Sequence, residues 1–319
     1  MKTAFKPLVL TTSLLLGATR LLAQDSNVHL PVPVIEQRMA RDTFRILNIR
    51  GSRAVTDRTQ RVTITFSDSS VILVKWAIFA PNGEVFNNSP RYEIAAYDFQ
   101  KMFLDEPDYV VPPTLSRSFD LDWYHQSVDA SVRATFSNTR SVLVTMQYWL
   151  SAVTADSVFN LKRFERDTAY ARHLADLNVV TYLIKHNDAN AGNVLVSSNP
   201  VNPRMFAVDN GLAFGIEESD RGTEWRQLRV PRVSLQTVEK LRKITREDLD
   251  RTLAVVVEYE LREGQYVPAE KTANISRGQG VRRREGRLQL GLTRTEIDGV
   301  ENRIKSLLRQ VDGGKLKTF

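Results

Sequence analysis

The sequence has 319 residues, of which 42% are hydrophobic and 25% charged, with a formal net charge of +7 and no cysteine. That length and balance describe a globular chain, large enough for one two-lobed domain or two small ones, and exclude a repeat or low-complexity architecture. The missing cysteines exclude disulfides, thiolate metal sites and a lipid-modified cysteine.

Residues 1–23 begin with Lys2 and Lys6, continue through an apolar run and end in Leu21-Leu22-Ala23. A basic start, a short apolar stretch and a small last residue predict a cleavable signal peptide, cut after Ala23, and a secreted or periplasmic mature chain. The run is too short for a comfortable bilayer span, so no stable membrane span is expected in the mature chain. The segment carries Lys2, Lys6 and Arg20 and no acid, so its removal takes three charges from +7 and leaves +4. The Arg277, Arg282, Arg283, Arg284 and Arg287 cluster reads as a solvated basic loop. It lacks the interleaved aromatics of a single-strand binder, so no nucleic-acid partner is expected.

Residues 24–42, containing Pro31 and Pro33, read as a linker. From 43 to 147 strands dominate. Residues 44–49, 61–66 and 71–78 alternate or run apolar, and Ser67-Asp68-Ser69-Ser70 supplies a tight turn, which predicts an antiparallel meander. Ser89-Pro90 opens a helix that runs toward Asp105. Residues 114–119 are extended, and 141–149, Ser-Val-Leu-Val-Thr-Met-Gln-Tyr-Trp, form a continuous β-rich run of the kind a buried strand shows.

From 148 to 319 helices dominate. Residues 166–185 have helical spacing, and two short apolar runs flank Asn199-Pro200 as a hairpin. Residues 232–260 read as helical, with a second helix opening at Asp248 and running through Val255-Val256-Val257. Residues 263–290 are polar and glycine-bearing and are expected to be flexible. A final amphipathic helix spans 293–311, with Ile297, Val300, Ile304 and Leu307 on one face. The whole predicts an α+β chain of two lobes, a β-rich one with an embedded helix and a mainly helical one.

The sharpest chemical signal is His186-x-Asp188-x-x-x-x-Asn193 before an apolar strand, followed sixteen residues later by Asp209-Asn210-Gly211 after another. Phosphoryl transfer needs a carboxylate near the attacking hydroxyl and oxygen ligands for a divalent metal between the phosphates. Asp188 and Asn193 on one loop, with Asp209 returned by a hairpin, meet that need. Gly211 is expected to supply the sharp turn after the metal ligand. Lys75, a lone charge in an apolar strand, needs a partner, and Glu93 on the following helix is the natural carboxylate. The four histidines lack zinc-ligand spacing, and His186 reads as a brace for its loop.

These motifs resemble the catalytic loop and metal motif of protein-kinase-like enzymes, including aminoglycoside phosphotransferases. The stretch from Val208 through Asp209-Asn210-Gly211 to Phe214 resembles type II phosphatidylinositol 4-kinases and the secretory-pathway kinases of the Golgi casein kinase and four-jointed group. Tyr92-Glu93-Ile94, then Leu104, then Val110-Val111-Pro112-Pro113-Thr114 resembles that group's acidic helix and Val-Pro-Pro turn. The resemblance spans 44–225, strongest at these islands. Asn193 departs from it, because Golgi casein kinase relatives typically lack asparagine there.

The resemblance implies a two-lobed protein-kinase-like fold holding ATP and Mg²⁺ or Mn²⁺. Asp188 is then the base or orienter of an acceptor hydroxyl, Asn193 and Asp209 hold metal, and Lys75 with Glu93 holds phosphates. Gly51 and Ser52 fall where a phosphate-covering loop sits, and the backbone of Gln147, Tyr148 and Trp149 falls at the hinge that meets adenine. The implied activity is an exported phosphotransferase moving the γ-phosphate to a hydroxyl of a protein, sugar or lipid. Transfer of AMP, or nucleotide binding without turnover in an interaction domain, stays open beside it.

Overall fold

A computed structural model of the protein describes residues 26–51, 59–85, 89–215 and 219–319. The expected signal peptide and Ser52 lie outside the described residues. The first described element is a helix, α1 (Val32–Ala40), in the segment read as a linker. Prolines misdirected that reading. Pro31 is the N-cap and Pro33 lies in the first turn, where a missing N–H costs nothing. Ile35 and Met39, one turn apart, are fully buried in the first lobe's core. Arg117 donates to the carbonyls of Met39 at 3.1 Å and Asp42 at 3.0 Å, satisfying oxygens at the end of α1.

The first lobe is a five-stranded antiparallel sheet. Its strands are β1 (Arg45–Gly51), β2 (Thr59–Thr65) and β3 (Val71–Ile78), joined by β4 (Thr114–Asp120) and β5 (Ser141–Tyr148) in the order β1-β2-β3-β5-β4. Helix α2 (Pro90–Gln100) follows β3, and α3 (Leu121–Ser127) follows β4. The pleat of β3 turns Ile72, Val74 and Trp76 into a core shared with α1 and α3. There Trp76 stacks on Phe119 with centroids 4.8 Å apart and donates its indole N–H to Tyr124 Oη at 2.9 Å. Strand β5 is buried at every residue, as its β-rich run predicts, including the polar Ser141, Thr145 and Gln147. Val142, Val144 and Met146 face the sheet core, while Leu143 joins the core of the second lobe.

The second lobe begins with the short strand β6 (Val153–Thr154), α4 (Leu161–Arg166) and the long α5 (Thr168–Leu183). The expected hairpin is β7 (Val194–Ser197) and β8 (Met205–Ala207), paired antiparallel and extended by β6. Then come β9 (Arg232–Val233), α6 (Leu235–Lys243) and α7 (Arg246–Leu253), the last capped by a Thr245/Asp248 capping box. Helix α7 stops at Leu253, and β10 (Val257–Arg262) opens where a helix was expected, because the β-branched run 255–257 favours a pleated surface.

Residues 263–290, expected to be flexible, form ordered sheet instead. Strands β11 (Gln265–Pro268), β12 (Val281–Arg284) and β13 (Arg287–Leu290) pair with β10 in the order β11-β10-β13-β12. Two of the four glycines in this stretch belong to two-residue turns: Glu263-Gly264 and Glu285-Gly286 all have positive φ, the geometry of tight hairpins. Helix α8 (Arg294–Asp312) closes the lobe, with Ile297, Val300, Ile304 and Leu307 buried as their spacing predicts, and β14 (Lys317–Thr318) pairs with β9. No helix among the described residues is long and apolar enough to cross a membrane.

Candidate active site

The cleft between the lobes is assembled from strand and helix ends. The β3 pleat that buries Val74 and Trp76 turns Lys75 toward the cleft. Lys75 Nζ donates to Glu93 Oε1 at 2.7 Å and to Asp209 Oδ1 at 2.8 Å. The other Glu93 oxygen accepts the backbone N–H of Asn210 at 3.1 Å. One carboxylate on α2 thus ties a strand lysine to the backbone just after Asp209. Burial by itself lowers the Lys75 pKa, but the Glu93 and Asp209 carboxylates more than offset it and hold the ammonium above the ordinary lysine value. The same ammonium holds Asp209 below the usual carboxylate range. Both groups are therefore charged at neutral pH.

Helix α5 delivers the loop opposite. It ends in a Schellman motif, in which Lys185 N–H reaches Tyr182 O at 3.1 Å and His186 N–H reaches Thr181 O at 2.9 Å, with Lys185 in the left-handed region at φ 50. That reversal drives His186 into the interior. Its Nε2–H donates to Val208 O at 3.1 Å and its Nδ1 accepts the Asp188 N–H at 3.3 Å, which fixes the tautomer. Burial lowers its pKa, so the ring is a neutral brace across the two motif segments. Asp188 stands at the loop's crest, one oxygen accepting from Asn190 Nδ2 at 3.0 Å and the other from Asn193 Nδ2 at 3.0 Å.

The β7–β8 hairpin aligns the remaining pair. Val208 N–H donates to Asn193 O at 2.9 Å, so Asn193 before β7 and Asp209 after β8 lie at the same end of the hairpin. Asp209 itself makes the sharp turn, at φ 60 and ψ 51, a conformation a short polar side chain tolerates. Gly211, expected to supply that turn, has no positive φ and lies inside the buried turn Asn210–Leu212.

The oxygen donors suit a hard divalent cation. Asn193 Nδ2 is committed to Asp188, leaving its Oδ1 with no donor among the described residues, and Asp209 Oδ2 is likewise open. The Asp209 side chain is 55% exposed, accessible to a ligand. No group of three or more His, Asp or Glu side chains among the described residues forms a closed cage. A partial shell completed by phosphate and water is the usual arrangement for Mg²⁺.

Other expected residues are differently placed. Gln147 lies opposite Lys75 in the sheet, but its side chain is buried and donates to Thr114 Oγ1 at 2.9 Å. The N–H groups of Tyr148 and Trp149 are spent on Pro113 O and Leu73 O, each at 2.8 Å. An adenine edge meeting this hinge cannot use those two donors. Gly51 ends β1 with open space around it and no positive φ, so nothing at this position requires glycine.

Two features of the site were not anticipated. Behind α2, Arg91 makes a two-pronged pair with Glu296 at 2.6 and 3.0 Å, and the Tyr92 hydroxyl bonds the same carboxylate. Tyr92 also packs on Phe214, 5.8 Å between centroids, so the first turn of α2 touches both α8 and the loop after Asp209. The Thr293-x-x-Glu296 capping box was a readable trace of this contact, although its partner was not. Beside the Asp188 loop, Gly222 at φ 67 lies so close to Ala189 that a Cβ would come within 2.5 Å of its backbone nitrogen. Arg226 donates to Asn187 Oδ1 at 3.1 Å, and Arg221 lies 3.6 Å from Asp188.

A sheet-based lobe with three helices, where one was expected, a mainly helical lobe with its own small sheets, and this cleft define the two-lobed protein-kinase-like fold. A solved structure shares it. Hydra Fam20, solved with sugar, is 13% identical, with a TM-score of 0.51 over 90% of each chain. The Golgi casein kinase is 12% identical, with a TM-score of 0.49 over 89% of this chain and 76% of that one. The Golgi casein kinase with Mn/ADP bound is 12% identical, with a TM-score of 0.48 over 88% and 75%. Likeness at such identities speaks to fold alone. No protein-family model matches the chain, and neither does any curated protein.

Proposed function

We propose that the chain is an exported ATP-dependent phosphotransferase that moves the γ-phosphate to a hydroxyl of a protein, sugar or lipid. The observation that carries this reading is the Lys75–Glu93–Asn210 N–H–Asp209 network, with Asp188 and Asn193 on the loop beside it. Lys75 then meets the nucleotide phosphates, oriented by Glu93. Asn193 and Asp209 would hold Mg²⁺ or Mn²⁺, which when bound neutralises charge on the phosphates. The acceptor oxygen bonds the γ-phosphorus, the bond to the bridging oxygen breaks, and ADP leaves. Asp188 orients the acceptor hydroxyl and takes its proton.

Thermal denaturation of the full chain with ATP, with and without Mg²⁺, tests the binding half, the expected result being metal-dependent stabilisation that Asp209→Ala removes. ATP labelled separately at the α- and γ-phosphates tests the transfer. Label moving from the γ position supports the proposal, label moving from the α position replaces it with AMP transfer, and binding without transfer reduces the chain to a nucleotide-binding domain. Hydra Fam20 was solved with sugar, so sugar hydroxyls belong in the acceptor screen beside proteins and lipids. Export is checked by N-terminal sequencing of the mature chain, expected to start at Gln24.

A further inference from the structure

A cavity of about 440 Å³ lies between α7, the start of α8 and the loop before β12. Five cations line it, Arg246, Arg251, Lys271, Arg277 and Arg294, against one carboxylate, Asp250. Three of the five have carboxylates of their own. Arg246 pairs with Asp250, Asp298 and Glu301, Arg251 with Asp248, and Lys271 lies 3.8 Å from Asp98. Arg277 and Arg294 form no ion pair or side-chain hydrogen bond with any described residue. Their backbones are joined directly, Arg294 N–H to Arg277 O at 2.8 Å, so two unneutralised guanidiniums start from adjacent points on the rim.

The wall that carries them is held in place. Glu258, buried under the loop, accepts from Thr272 N–H at 2.7 Å, Gln289 at 2.9 Å and Arg287 at 2.7 Å. Gln289, also buried, accepts from Ile275 N–H at 2.9 Å and donates to Ala273 O at 3.1 Å. Buried polar side chains that fully satisfy one another rigidify what they hold. Here they fix the loop whose Arg277 backbone meets Arg294 at the start of α8, so both cations line one pocket and attract an anion. Arginine forks match tetrahedral oxyanions, and the volume lies in the range of small-molecule sites and exceeds what one inorganic phosphate fills.

We propose that this pocket binds a multiply charged phosphate or sulfate compound. The site is separate from the cleft and does not depend on the phosphotransferase reading. The test is calorimetric titration of the full chain at physiological ionic strength with tripolyphosphate and, separately, with a trisulfated disaccharide. A Lys75→Ala background prevents tripolyphosphate from reporting on the cleft. Saturable binding of either probe is expected to survive Lys75→Ala and to weaken at least about 10-fold in Arg277→Ala/Arg294→Ala, which loses charge-assisted hydrogen bonds. The tighter probe identifies the source of the oxyanion. Both arginines are exposed, so the fold should survive, and Lys271→Glu gives the same weakening through a third rim position. Binding of neither probe, or binding unchanged by these substitutions, overturns the proposal.

Discussion

Helix α2 presents a carboxylate to the cleft and a guanidinium to the rear, and the two are partnered in opposite ways. At the rear, Arg91 is saturated by Glu296, Glu84 and the Gly291 carbonyl, with Tyr92 closing the cluster, and both Arg91 and Glu296 are about 8% exposed. At the front, Lys75 is shared by Glu93 and Asp209, yet Asp209 is half exposed and one oxygen each on Asp209 and Asn193 has no donor among the described residues. A network that holds structure together closes every lone pair, whereas one that awaits a ligand keeps some free. Charge alone would not have separated the two.

The largest expected effect is chemical and confined to the front. Asp188→Ala should cut phosphotransfer by roughly 10²–10⁴-fold while leaving nucleotide-dependent stabilisation intact. A steady-state assay beside a thermal shift checks this, and transfer that persists undiminished removes Asp188 from the mechanism. Next, deleting the cation on each side of α2 sharpens the contrast. Arg91→Ala leaves Glu296 buried and unpaired and should cost about 3–5 kcal/mol in denaturant unfolding. Lys75→Ala also strips a buried carboxylate, Glu93, of its cation, but it leaves Glu93 the Asn210 N–H and Asp209 open to water, and should cost less, about 1–3 kcal/mol. Equal losses would erase the distinction between the two faces.

The effect that is smallest per step of pH concerns a carboxylate on neither face. Asp176, buried in α5, accepts from Thr237 Oγ1 at 2.8 Å, and burial pushes its pKa up to about 7. Its ordinary value is 3.8, so between there and about 7 the folded chain keeps a proton the unfolded chain has lost. Stability should fall as pH rises through that window, by at most about 1.4 kcal/mol per pH unit. Asp176→Asn should flatten the dependence. A slope unchanged in the variant assigns it to other groups.

Much of the cleft was legible because its parts are short and local. The spacing of Asp188, Asn193 and Asp209 follows from a loop and a hairpin, and Lys75 to Glu93 follows from a strand entering a helix. What stayed hidden depends on contacts distant in sequence. Nothing near Arg91 announces Glu296, and Gly222 reads as an ordinary loop glycine until it lies against Ala189. The linker and flexible-loop expectations failed for a different reason. Proline at a helix start and glycine in a two-residue turn are the same residues that mark irregular chain, and only Ile35 and Met39 one turn apart, or strands flanking the Glu-Gly pairs, tell them apart.

The packing of α2 bears on how the two lobes are joined. Its Ile94, Ala95 and Phe99 belong to the core of the helical lobe, with Leu174 and Leu177, while the strand that carries Lys75 belongs to the core around Trp76. Although α2 follows β3 in the chain, its apolar face packs with the opposite lobe, while Tyr97 and Lys101 bond Glu36 of α1 on its own side. The 2.7 Å contact between Lys75 and Glu93 is thus a polar link across the boundary between the two cores.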